Sequence, residues 1–548
     1  MKILAFCALA IASATALAQV HSNEPAAPSA ERLGTVSFSI SCAGAVQAPF
    51  NRGVALLHDF WYEEAQRQFA EIEKADPGCA MAHWGEAMSV FHQIWNRPSE
   101  SAMAQGWAAM QAAQSPAAGS ARERAYIAAL SDFYRPGKQE FLERVQAYSE
   151  AMSKLYRQYP EDVDAGAFYA LSLLAAAPPN DTSLVANRKA MAVLTPLIAK
   201  YPDNPGLVHY IIHSCDNPSM AAEGLAAADH YGEIAASGAH AYHMPGHIYA
   251  RLGMWPQDIE ANLGSVAASK AAQAKYGSGM MDEPHAYDFL LYAYLQSGQD
   301  ERAKWALQQT AQLLDEIAAM PHMDGHRMGA AMVPYYRSKY AVFYALEMRD
   351  WKSAAALEPP AGSPPDVATL TIWARAVAHG HLRQPAEAKA DLARYDALVD
   401  EIRKGKQAYV ADSTSAKIER SEILGWVGFA EGKQADGLGS MREAARLQDK
   451  VGQGEVDIPA REMLADMLLE SQQPREALAE YEVALRLSPN RFNGLYHAGV
   501  AAESAGDKAK ATQYYAALLK STGNGARTAR PELAHVKSYV SSQQLATK

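Results

Sequence analysis

Cysteine is scarce: four in 548 residues. That excludes a disulfide-dense scaffold and a cysteine-rich zinc module. Beyond the first residues no stretch approaches the ~18 uninterrupted apolar residues of a membrane helix, so no transmembrane segment is expected after the N-terminus. Basic excess is also missing. Fifty Lys and Arg against 61 Asp and Glu give a formal net charge of -11, which argues against a nucleic-acid partner, because that class needs a basic surface. No G-x-S-x-G occurs, and His243-Met244-Pro245-Gly246-His247 has the spacing of H-E-x-x-H without its Glu. Both omissions remove familiar hydrolase signatures. What is present is a globular composition, 49% hydrophobic and 20% charged, able to bury a large core.

The N-terminus reads as an export signal. Met1-Lys2 is a short basic start, Ile3 to Ala12 is apolar, and Ala16-Leu17-Ala18 is a small-x-small cleavage site. Cleavage would remove residues 1–18 and release the chain to the periplasm or the exterior. Export changes the reading of the remaining thiols. Cys42 and Cys79, 37 residues apart, flank one expected helical hairpin and are expected to pair, the alternative being two buried free thiols. Cys215 is left as a core residue, a metal ligand or a reactive thiol.

Runs of 12 to 15 residues with apolar spacing of three and four alternate with short Gly, Pro, Asp or Asn breaks. The expected fold class is all-α. Near the C-terminus the pattern repeats every 34 residues: Ala465 and Gly499, Ala477 and Ala511, Tyr481 and Tyr515, Ala484 and Leu518. Small residues recur where helices approach closely and an aromatic recurs where a gap must be filled. Phe60–Pro77 carries the same signature through Ala65, Phe69, Ile72 and Pro77. A 34-residue helix–turn–helix period is that of the tetratricopeptide repeat (TPR), a right-handed solenoid of helical hairpins. The expected layout is a disordered lead over 19–35, a His-rich array over 36–357, a second array over 366–521, and a frayed tail over 522–548. The proline-rich 358–365 segment is the expected boundary between the two arrays.

Three segments carry a closer likeness: FNRGVALLHDFWYEEAQRQF with DPGCAMAHWGEAMSVFHQIWNRP, then VHYIIHSCDNP leading into HAYHMPGHIYARLGMW, then DEPHAYDFLLYAYLQSGQ. Over about residues 36–310 the chain resembles a bacterial family of exported TPR proteins. The resemblance implies a TPR fold and export; the later part resembles only generic repeats.

Histidine is concentrated. Seven of 17 lie between 209 and 285: His209, His213, His230, His240, His243, His247 and His285. The pairs His209/His213 and His243/His247 are spaced i, i+4, which puts both imidazoles on one helix face. Repeat position places His58, His92, His213 and His285 toward the concave groove. Three uses compete for these rings: structural hydrogen bonding, a polar groove for a ligand, and a metal site completed by a carboxylate such as Asp216 or Asp282. Pro245 is expected at a helix start, which would aim free N–H groups at an anion. The leading expectation is a scaffold holding a peptide, a partner protein or a small ligand in its groove, with His58, His92, His209 and Arg251 lining it. The alternative is a metal-binding protein or metalloenzyme. His213, His243, His247, His285 and Asp216 would then hold a transition metal, Zn, Cu or Fe.

Overall fold

Each helix is set up by its own sequence. Tyr62–Ala75 begins with Glu63 and Glu64 in its first turn and has Lys74 in its last, which suits the helix dipole. Ala65, Phe69 and Ile72 form its buried stripe, and Asp76-Pro77 ends it. In several other helices the first turn is fixed by a cap or a proline. Asn204 accepts from the Leu207 N–H ahead of Pro205–Cys215, and Ser120 with Glu123 forms a reciprocal capping box.

The computed structural model describes residues 30–94, 97–114, 119–178, 181–277, 282–320, 327–405, 408–525, 528 and 530–546. Among them the regular elements are 26 α-helices and one short 3₁₀ turn, with no strand. Almost every helix packs on the next, and first helices of successive hairpins also pack on each other, as Pro205–Cys215 does on Ala239–Leu252, and Ala239–Leu252 on Glu283–Gln296. This is the expected all-α, TPR-like solenoid. Ala465, Ala477, Tyr481, Ala484, Ala511, Tyr515 and Leu518, the residues of the 34-residue period, are all buried.

One turn geometry recurs inside the hairpins. The Met254, Gln299, Lys433 and Asp507 N–H groups donate to the carbonyls of Tyr249, Tyr294, Gly428 and Ala502 at 2.8–2.9 Å. The residue before each donor is a glycine with positive φ, the left-handed helix stop. At Phe60 a bulky side chain holds the same place: Trp61 N–H donates to Leu56 O at 2.9 Å and Phe60 has φ +57°.

The solenoid closes on itself. Gln47–His58 packs against Pro205–Cys215, and Phe492–Ser504 reaches Glu283–Gln296. Gly253 makes the second closure possible. Its φ is +63°, and a Cβ there would meet Pro489 O at 2.4 Å. Its carbonyl accepts from Asn490 Nδ2 at 3.1 Å, while Trp255 Nε1 donates to Asn490 O at 2.8 Å.

Three expected boundaries change. The signal segment 1–18 and most of the 19–35 lead lie outside the described residues, but 30–35 is pinned rather than disordered. Gly34 N–H donates to Ile234 O at 2.9 Å and Thr35 N–H to Asp203 O at 2.8 Å. The strap continues to Phe38, which lies among Phe50, Trp84 and Tyr126 with ring centroids 5.0–5.6 Å away. The 358–365 segment is a turn within the stack, because one apolar core runs from Ala250 to Val536 across it. The tail is not frayed: helix Pro531–Ala546 buries Leu533 and Val536, and Arg530 pairs with Asp300 at 2.7 Å.

Cys42 and Cys79 are joined as a disulfide, with Cα atoms 5.0 Å apart. Its loop length predicts that Cys42→Ser/Cys79→Ser costs about 4 kcal/mol, read as a lowered urea midpoint; an unchanged midpoint would show that the strap holds the hairpin without the bond. Gly253→Ala is expected to cost more than ~2 kcal/mol through strain and clash, measured by thermal unfolding. A stability equal to wild type would mean the two arms do not close as described.

Candidate metal centre

Three consecutive first helices supply six imidazoles. Pro205–Cys215 carries His209 and His213, Ala239–Leu252 carries His240, His243 and His247, and Glu283–Gln296 carries His285. They form two triads, His209/His213/His240 and His243/His247/His285. Within each, one nitrogen per ring lies within 4.8 Å of the others. The i, i+4 pairs have ring centroids 4.6 and 4.7 Å apart. Ala239–Leu252 runs unbroken through Pro245. The helix start expected at Pro245, and the anion site it would make, are therefore absent. Pro245 costs one backbone hydrogen bond, and the unbroken helix keeps His243 and His247 on one face.

Ring orientation is fixed from behind. His209 Nδ1 faces the His58 carbonyl at 2.6 Å. His243 Nδ1 faces Asn262 Oδ1 at 2.6 Å. His247 Nδ1 faces Asp216 Oδ2 at 2.9 Å and Glu455 Oε1 at 3.1 Å. A carbonyl or carboxylate oxygen only accepts, so each Nδ1 bears the proton. The Asn262 amide cannot turn over, because its Nδ2 donates to Asp258 O at 2.9 Å and Asp258 Oδ1 at 2.7 Å. Gly246 admits this pair: a Cβ there would meet Asn262 Nδ2 at 2.7 Å. The inward atoms are thus Nε2. His209 Nε2 lies 3.1 Å from His240 Nε2, and His243 Nε2 lies 2.9 Å from His247 Nε2. Two lone pairs repel at that distance, so a proton or another cation must sit between His243 and His247.

In the metal-free chain that cation is a proton on His247. Burial lowers its affinity, but Asp216 and Glu455 more than offset burial and raise its pKa to about 10. The other rings are held neutral. Burial, then the positive charge of His247, pushes His213 and His285 down to about 3. Burial first, then neighbouring imidazoles, pushes His209, His240 and His243 well below the ordinary value. Burial would raise Asp216, yet Arg251 and His247 hold it below the carboxylate range. Several buried polar atoms have no hydrogen-bond partner among the described residues: His213 Nε2, Asp59 Oδ2, Asp164 Oδ2 and Asp258 Oδ2. Burial drives Asp59 and Asp258 well above the normal carboxylate range.

Each triad rests on one phenyl ring. Phe60 lies 4.4, 5.6 and 5.3 Å from His209, His213 and His240. Phe289 lies 4.7, 4.8 and 5.4 Å from His243, His247 and His285. The strained Phe60 backbone, worth about 1–3 kcal/mol, is offset by that packing.

Of the expected residues, His209, His213, His243, His247, His285 and Asp216 come together. His58 lies behind them, fully buried, bonded to Tyr210 Oη at 2.9 Å and Asp164 Oδ1 at 3.0 Å. His92 does not join: it stacks on Tyr62 at 4.3 Å and sits by Ser89 O. Arg251 does not face an open groove. Asp216 and Glu455, each at 2.9 Å, and the Gln453 carbonyl hold it. Asp282 meets Glu63 and Glu283 and rises to about 7 through burial first. His230 pairs with Asp203 on the outside. Cys215 is buried beside Met191 Sδ, with burial raising its thiol to about 12. Asn262, Asp258, Glu455 and Phe289 were not singled out in the sequence, while His240 was counted in the cluster and Phe60 in the repeat signature without either being assigned to the site. His240 had a signal, lying three residues before His243; Glu455 had none, being over 200 residues away.

No known protein family matches the sequence and no curated protein does. Among solved structures the chain is similar to the TPR domain of P58(IPK), with 16% identity over 70% of this chain and 99% of that one, and a TM-score of 0.22. Yeast Tom70 shows 12% identity over 85% and 96%, with a TM-score of 0.33. A human IFIT1 dimer with m7Gppp-AAAA shows 12% over 80% and 90%, also at 0.33. Scores this low add nothing to what the helix packing already shows. The chain is a TPR-like helical-repeat protein.

The imidazole shifts predict a stability maximum near neutral pH for the metal-free chain. Below the ordinary His pKa of 6.5 the unfolded state takes up protons that the five depressed imidazoles refuse, so stability falls toward acid. The raised pKa of His247 acts oppositely: its contribution is complete below 6.5 and is lost as pH rises through about 10. Urea midpoints at pH 5, 7 and 9 check both limbs. An alkaline limb unaltered by Asp216→Asn would show that His247 is not the charged ring.

Proposed function

We propose that this chain is an exported transition-metal-binding solenoid, with an ion held by His243, His247 and His285. The observation that carries the reading is the 2.9 Å approach of His243 Nε2 and His247 Nε2, with Asn262 and Asp216 holding both Nδ1 protons on the far side. That is the arrangement of metal-ligating histidines, whose outer nitrogen is tied to a carboxylate or amide oxygen. A metal replaces the proton between the rings. Neutral imidazoles suit Cu and Zn, and also Fe. Three protein donors leave an open position, where a bound ion supplies Lewis-acid or redox chemistry.

An ion suits this interior better than a peptide. Arg251 is occupied, Phe60 and Phe289 floor the triads, and the Gln453–Glu455 segment lies against His247 and Arg251. Export is supported by the Met1–Ala18 pattern and by the Cys42–Cys79 disulfide, a bond at home in an oxidising compartment. Protein partners would then dock on outer helix faces.

The test is elemental analysis of untagged protein after reconstitution with Zn(II) or Cu(II). Stoichiometric metal is expected. Asn262→Ala should weaken affinity roughly 10–100-fold in competition with a chromophoric chelator. Protein that keeps no metal would overturn the reading.

A further inference from the structure

The two i, i+4 pairs stand 34 residues apart, His209 to His243 and His213 to His247, which is one repeat period. Each pair is completed by a histidine from the first turn of the next first helix: His240 is the second residue of Ala239–Leu252 and His285 the third of Glu283–Gln296. The ligand set is therefore duplicated with the repeat, down to a phenyl floor in each copy.

We propose that His209, His213 and His240 form a second transition-metal site, so that the chain holds two neighbouring ions along one interior wall. This rests on the reading of His243, His247 and His285 as the first site. Three further observations support it. His213 Nε2 is buried with no hydrogen-bond partner among the described residues, a desolvation cost that coordination removes. His209 is tied through Nδ1 to the His58 carbonyl, and its inward Nε2 meets His240 Nε2 at 3.1 Å. Carboxyl groups also lie behind it. Asp59 holds Tyr231, whose ring stacks on His209 at 5.2 Å, and Asp164 holds His58. Each of these aspartates keeps one oxygen without a partner among the described residues, so the groups behind this triad, like those behind the other, end on buried carboxyl groups.

The shared helix sets the spacing. His240 of one triad and His243 of the other lie one turn apart, with ring centroids 6.2 Å from each other. His213 and His285 are the part-exposed members of their triads, and give solvent and small ligands a way to each ion. Two three-histidine ions side by side, each with an open position, suit a small ligand that spans both.

The experiment is metal stoichiometry of the full untagged chain, reconstituted with Zn(II) or Cu(II) and dialysed. Two equivalents are expected for wild type, one for His213→Ala, one for His285→Ala and none for the double variant. His213 Nε2 has no hydrogen-bond partner among the described residues, so its loss orphans none of them. His213→Gln repeats the measurement should the alanine variant unfold in circular dichroism. The Cu(II) form should show mutual broadening in electron paramagnetic resonance that disappears in either single variant. One equivalent in wild type, kept in His213→Ala and lost in His285→Ala, would overturn the second site and leave the first. Two equivalents persisting in His213→Ala would also overturn it. No metal in any form would end both.

Discussion

The interior depends on one constraint: a buried imidazole must place both its nitrogens. In this chain the outer nitrogen of three rings is committed to an oxygen that can only accept, the His58 carbonyl, Asn262 or Asp216. That commitment turns the remaining lone pairs inward. Lone pairs converging in a water-poor space repel unless a cation joins them. The metal-free protein meets the requirement with a proton on His247, held by two carboxylates and flanked by neutral neighbours. A first-row metal ion meets it as well, with more ligands engaged at once.

The repeat architecture supplies the distances. First helices of successive hairpins pack side by side, so residues one period apart become neighbours along one wall. An i, i+4 pair on each helix and a single ring from the next are then enough for a three-donor set. Precision comes from second helices and from far along the chain. Asn262, held by Asp258, reaches His243 because Gly246 has no side chain to block the pair. Glu455 arrives from a loop between two C-terminal helices because the solenoid closes on itself. The same closure ties Gly253 to Asn490 and replaces an open groove with a lined interior.

Charge balance ties the fold to the site. Buried carboxylates are expensive unless compensated. Around the imidazoles Asp59, Asp164 and Asp258 each keep an oxygen without a partner among the described residues, while Arg251 is shared between Asp216 and Glu455. Burial holds Asp59 and Asp258 well above the carboxylate range, so the ionised carboxylates nearest the rings are Asp216 and Glu455, both against His247. Phe60 takes the left-handed turn position that Gly253, Gly298, Gly432 and Gly506 fill in some hairpins and Arg349, Arg383 and Gln472 in others, and its ring lies beneath His209 and His240.

The amino-acid order settled the helical class and the 34-residue period, because each depends on spacing along the chain, and it made the Cys42–Cys79 bond the expected pairing, which the structure forms. It also marked His209, His213, His243, His247 and His285, since i, i+4 placement on a helix is local geometry. It misjudged Pro245, where tertiary packing carries the helix past a lost hydrogen bond. The ordered strap, the continuous core across 358–365 and the docked C-terminal helix also needed coordinates, because burial of Phe38, Leu533 and Val536 is provided by distant helices. Only the tertiary structure could separate His92 from the cluster, add His240, and bring Asn262 and Glu455 behind the rings. Which nitrogen faces inward is decided by the oxygen opposite it, and that oxygen is brought there by packing between helices, not by neighbours in sequence.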